Sequence, residues 1–237
     1  MKSDSQALSL DALVNDFAIR SFRDIGDGDY IAARMACRAA LPTQFLWASQ
    51  QALEKYLKCI LLLNRIPAPK VYHDLGKALR KIRGSGKISL DLTRGTEEFI
   101  SMLDRFGPYR YLEVSNIAFG ADLVTLDRAV WEMRRYCTLV EEPRQKKLCD
   151  GFPAPLVRIP GGWLEKVIDD AMNPARGPLL WQNGFFRTRT RKRVRLSKWF
   201  QAHNAPLYLN PQILDEVLKY VHIPDRLAEG YRRHVQS

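Results

Sequence analysis

Long hydrophobic runs are missing from this sequence. A membrane helix needs about 20 consecutive apolar residues; the longest candidate, Cys59 to Leu63, has five, with Lys58 before it. A signal peptide's unbroken apolar core is missing too, because Asp11, Asn15 and Asp16 interrupt the first segment. The expectation is a cytoplasmic protein without a membrane span. Cysteine is sparse: Cys37, Cys59, Cys137 and Cys149, no two at a metal-ligand spacing such as CxxC. The first three sit in apolar helical pattern and read as small core residues. There is no P-loop, GxGxxG turn, HExxH helix or nucleophile elbow. No cofactor or metal is therefore expected. Carboxylate pairs such as Asp169-Asp170 read as solvated helix surface.

What is present is enough apolar material for a full core. The chain has 237 residues, 46% of them hydrophobic and 27% charged, which suits one large or two small folded domains. Its net charge of +11 is uneven. Residues 1–140 hold 20 Lys and Arg against 16 Asp and Glu, whereas residues 141–237 hold 17 against 10. Such an excess points to an anionic partner, nucleic acid before membrane surface, since no lipid-inserting helix is evident.

Helical periodicity dominates the first half. Leu8 to Phe22 reads as a short helix, broken by Gly26-Asp27-Gly28-Asp29, with Asp29 as the N-cap of a helix over Tyr30 to Leu41. Pro42 opens a long helix to Asn64. Its stripe runs through Phe45, Ala48, Ala52, Leu53, Tyr56, Leu57, Ile60 and Leu61. Gln50, Gln51, Glu54, Lys55 and Lys58 share the other side. Glu54 and Lys58 read as an exposed i,i+4 pair worth about 0.3 kcal/mol. Asp74 is the cap candidate of a helix to Ile82; two more run from about Asp91 to Phe106 and from Phe119 to Cys137. Together they predict an antiparallel up-and-down bundle over residues 1–140.

Prolines, glycines and charges make residues 141–160 a linker. Residues 161–237 read as a small basic α+β module. Trp163 to Met172 looks helical, and Leu179 to Phe186 reads as a hairpin turning at Asn183-Gly184. Strands are expected at Arg187 to Leu196 and Leu207 to Leu209, then a helix from Gln212 to Val221. If Arg187 to Leu196 is a strand, Arg187, Arg189, Arg191, Arg193 and Arg195 share one face about 6.7 Å apart. That ladder suits a single-strand phosphate backbone, with Trp181, Phe185, Phe186 and Trp199 as stacking candidates. The other reading is an edge strand protected by charge.

The segment Ala52-Leu53-Glu54-Lys55-Tyr56-Leu57-Lys58, followed by Pro67 and Pro69 and then His73-Asp74-Leu75, resembles the central pattern of HEPN domains. Asp29 to Arg34 is similar to that family's first bundle helix, and Tyr109-Arg110-Tyr111 to an element where its last helix begins. The resemblance covers about residues 29 to 137. It implies a helical domain, often dimeric, associated with nucleotides or RNA, with some branches acting as metal-independent ribonucleases of toxin or defence type. Those enzymes carry an Arg followed by four to six residues and a His. Here seven residues separate Arg65 from His73, Arg195 from His203 and Arg226 from His234, and His222 has no Arg in range. The sequence therefore favours binding over catalysis.

The candidate nucleotide-binding residues are Lys55, Lys58, His73, Asp74, Arg105, Tyr109, Arg110 and Tyr111, with the arginine ladder for nucleic acid. His73 and Asp74 open a helix, whose free N–H groups favour an anion; a capping Asp and a His packed between helices would satisfy the same sequence. The alternatives are a ribonuclease using His73 with Arg105 or Arg110, and a protein–protein module pairing with a nucleotidyltransferase or antitoxin. A homodimer is a further possible partner state.

Overall fold

The computed structural model describes residues 10–106, 120–138, 162–187 and 211–236. Among these residues every regular element is a helix. The chain begins with α1 (Leu10–Ala18), a π-helical turn (Ile19–Arg23) and α2 (Asp24–Arg38), which follow without a break. Then come α3 (Pro42–Leu63), α4 (Leu75–Gly84), α5 (Arg94–Phe106) and α6 (Gly120–Arg134). Short helices α7 (Trp163–Asp169), α8 (Arg176–Leu180) and α9 (Gly184–Arg187) precede a 3-10 turn at Pro211–Ile213, α10 (Leu214–Leu218) and α11 (Asp225–Gln236).

The Gly26 to Asp29 break expected from sequence lies inside α2 instead. Gly26 is there for close approach. A Cβ on it would stand 3.2 Å from Lys55 Cβ and 3.3 Å from Ala52 O, so α2 and α3 pack backbone to backbone. Asp29 caps nothing; its carboxylate accepts from Lys55 Nζ at 2.6 Å. Asp27, fully buried, accepts from Tyr56 Oη at 2.8 Å.

α3 is the axis of the bundle. Phe45, Leu53, Tyr56, Leu57 and Ile60 are buried as the stripe required, and so are Gln50, Glu54 and Lys58 on the side read as solvent-facing. A helix covered on all sides is the centre of a core. α2 and α3 end in left-handed residues, Ala40 (φ 56°) and Arg65 (φ 51°). In each case two N–H groups fold back onto the last turn: Leu41 to Ala36 O and Ala40 to Cys37 O; Ile66 to Leu61 O and Arg65 to Leu62 O.

Neighbouring contacts fix the directions. Gly26 beside Ala52 and Asp11 bonded to Arg65 set the α1–α2 rod antiparallel to α3. Arg34 with Asp127 and Asp27 with Arg134 set α6 antiparallel to α2. α4 departs from the expected alternation: it starts beside Glu54, through His73, and finishes near Arg65, whose carbonyl accepts from Lys87 Nζ at 2.6 Å. α4 therefore runs in the same sense as α3, and residues 64–74 are a return connection.

The expected hairpin over Leu179 to Phe186 is absent; α8 and α9 stand there. Asn183 does turn the chain. Its Oδ1 accepts from the N–H groups of Phe185 and Phe186, a side-chain cap that starts a helix. Leu164, Val167, Leu179 and Phe186 join the same core as the first six helices. α11 was not anticipated. Residues 141–160, Cys149, the strand expected at Leu207 to Leu209, and all of Arg187 to Leu196 except Arg187 lie outside the described residues. Cys59 and Cys137 are buried and Cys37 half-buried. No helix among the described residues is long and apolar enough to cross a membrane.

Candidate anion-binding site

The middle of α3 and the connection leading into α4 meet in space. α3 places Glu54 and Lys58 one turn apart, and the return connection brings His73 against them. Lys58 Nζ donates to Glu54 Oε1 at 2.7 Å. His73 Nδ1 lies 3.1 and 3.0 Å from the two Glu54 oxygens. A carboxylate only accepts, so Nδ1 is the donor of this contact. Glu54 and Lys58 side chains are 8% and 11% exposed, His73 67%. The pair expected at an exposed surface is thus largely enclosed, with a histidine set over it.

Lys55 does not join this group. It points to α2, where Asp29 and Gln51 hold its Nζ. Asp74 caps α4 as expected, accepting from Lys77 N at 2.5 Å. The free N–H groups expected to receive an anion are already taken. Asp104 on α5 accepts from Leu75 N at 2.8 Å and Gly76 N at 3.2 Å, so the protein supplies its own carboxylate there. Arg105 follows Asp104 and turns its Nε back to Ser101 O. Tyr109, Arg110, Tyr111, Arg189, Arg191, Arg193 and Arg195 lie outside the described residues; Arg187 is the last residue of α9.

Sequence reasoning missed the outer face of α4. Leu75, Ala78, Leu79 and Ile82 are buried, and Lys77, Arg80 and Lys81 lie opposite them. The signal was legible as basic residues at three- and four-residue steps, the spacing of one helix face.

A second polar assembly holds α7, α8 and α9 to the bundle. Arg134 donates to Asp27 (2.6 and 2.8 Å) and to Glu165 (2.9 and 2.7 Å). Burial pushes the Glu165 carboxyl up, but the Arg134 charge and hydrogen bonds outweigh it and bring it to about 2. Asp27 is more deeply enclosed, and burial leaves it above the usual carboxylate range despite Arg134. Arg34, wholly buried, bonds Asp127, Pro178 O and Trp181 O. Tyr30 Oη donates to Asp127 at 2.7 Å and accepts from Asn183 Nδ2 at 2.8 Å. Burial and the Asp127 charge push the Tyr30 hydroxyl well up. Each Arg34 guanidinium nitrogen has a partner inside the protein, so this assembly fixes geometry.

No group of three His, Cys, Asp or Glu residues among those described is placed to hold a metal ion. Comparison with protein families, with curated proteins and with solved structures finds no match.

Proposed function

We propose that this chain is a HEPN-type helical module that binds a nucleotide or RNA at the junction of α3 and the start of α4. The observation that carries the reading is the convergence of Lys58 and His73 on one largely buried carboxylate, Glu54. Glu54 holds the imidazole in one orientation. Lys58 balances the carboxylate, so the junction is not a net negative site, and protonated His73 would make it cationic. The strong net positive charge supports an anionic ligand at long range. Arg187, Arg189, Arg191, Arg193 and Arg195 are a second proposed contact for nucleic acid.

One feature favours a second reading, a metal-independent ribonuclease. A carboxylate on Nδ1, with no hydrogen bond to Nε2 among the described residues, is the arrangement in which a histidine takes up and returns a proton. The test incubates purified protein with end-labelled RNA in EDTA and scores binding and cleavage separately. Binding without cleavage, weakened at least about tenfold by His73→Ala, is the expected result. Cleavage abolished by His73→Ala and reduced by Glu54→Gln would establish the second reading. Absence of both binding and cleavage would reject both.

A further inference from the structure

We propose that the outer face of α4 is a phosphate track, so that the ligand reaching His73 is a polynucleotide several residues long. This rests on the nucleic-acid reading of the His73 junction. Lys77, Arg80 and Lys81 recur at three- and four-residue steps, which puts their Cβ atoms about 5–6 Å apart on one face. Lys70 extends the face at one end, its carbonyl accepting from Lys77 Nζ at 3.2 Å. Lys87, beyond the end of α4, is not part of this face, since its Nζ donates to Arg65 O after α3.

None of the four cations Lys70, Lys77, Arg80 and Lys81 has an ion pair within 4 Å among the described residues; Arg80 stands nearest a carboxylate, its Nη1 and Asp104 Oδ2 lying 3.2 and 3.0 Å from where a Gly76 Cβ would be. Arg83, at the edge of the face, pairs with Glu97. The other carboxylates near α4, Asp74 and Asp104, are engaged by backbone N–H groups at its first turn. A row of like charges on adjacent turns repels itself, and an external polyanion relieves that repulsion.

The partner is a polynucleotide rather than a lipid surface for two reasons. The apolar residues Leu75, Ala78, Leu79 and Ile82 are buried against the bundle, so the face offers nothing to insert into a bilayer. Tyr72, beside His73, is 53% exposed and meets the His222 ring at 4.5 Å, an aromatic pair on which a base can stack. α4 is 10 residues long, about 15 Å, which outreaches a single nucleotide.

The experiment is fluorescence anisotropy with 5′-labelled oligouridylates from a dinucleotide to about a dodecamer. It compares the full chain, the double variant Lys77→Ala with Lys81→Ala, and His73→Ala, with circular dichroism to verify folding. Affinity is expected to rise with length. The double variant is expected to lose that rise and to lower the slope of log affinity against log salt by about 1.4, the value for two single-strand phosphate contacts. Equal affinity for all lengths, untouched by the double variant, would overturn the track; His73-dependent dinucleotide binding would then leave the nucleotide reading standing. Length-dependent binding lost in the double variant but not in His73→Ala would support the track and reject the His73 junction. Binding to phosphatidylserine vesicles without binding to any oligonucleotide would overturn the proposal.

Discussion

Glu54 serves two partners from one position. It neutralises a largely buried lysine and orients an exposed histidine, so the two roles separate by mutation. Glu54→Ala leaves Lys58 enclosed without a counter-charge and should cost about 2–4 kcal/mol in urea unfolding. His73→Ala removes a mostly exposed ring and should cost less than about 1 kcal/mol. Equal losses would mean that His73 is packed for stability. Glu165 gives a pH-dependent counterpart. Its folded value of about 2 lies below its ordinary 4.5, so its ionisation stabilises the fold above about pH 4.5, and that contribution disappears as pH falls toward 2. Asp27 and Asp127, both raised by burial, act in the opposite sense and favour the fold as they protonate. The stability gap between wild type and Glu165→Gln should be largest near neutral pH and close by about pH 2, read from urea midpoints across that range. A gap independent of pH would contradict the Arg134–Glu165 pair.

At the scale of elements, caps and close approaches explain which features were legible. The long α3 and its Pro42 start follow from periodicity and the first-turn tolerance of proline. The break assigned to Gly26-Asp27-Gly28-Asp29 did not form, because those residues serve tertiary contacts. Gly26 admits α3, Asp27 meets Arg134 and Tyr56, and Asp29 meets Lys55. Local propensity cannot anticipate a partner 107 residues away. The Asn183-Gly184 pair misled for a related reason, since Asn183 starts a helix and bonds the buried Tyr30 instead of closing a hairpin. Ala40 shows the reverse case, a left-handed cap occupied by a residue with a Cβ. Ala40→Gly should stabilise the protein by about 1 kcal/mol in thermal or urea unfolding. No change or a loss would mean that the turn is held by contacts outweighing its backbone preference.

For the molecule as a whole, the bundle and the segment containing α7, α8 and α9 share a core and a set of buried arginine contacts. The electrostatic character was legible in the sequence, but its placement was only partly so. Of the run from Arg187 to Arg195 only Arg187 lies among the described residues, whereas α4 sets Lys77, Arg80 and Lys81 on one described helix face. The α4 N-terminus looked open in sequence because nothing local reveals that Asp104, from the next helix, fills it. His73 and Lys58 are separate candidates in the sequence, 15 residues apart, and Glu54 supplies the link between them. The most direct measurement follows the imidazole resonances of the four histidines by NMR, with His73 assigned from His73→Ala, during titration with a short RNA in EDTA. The expected result is a saturable shift of the His73 signals at the concentrations where binding occurs, lost when Glu54→Gln releases the ring. RNA binding that leaves the His73 signals unmoved, or no binding at all, would contradict the assignment of the α3–α4 junction as the site.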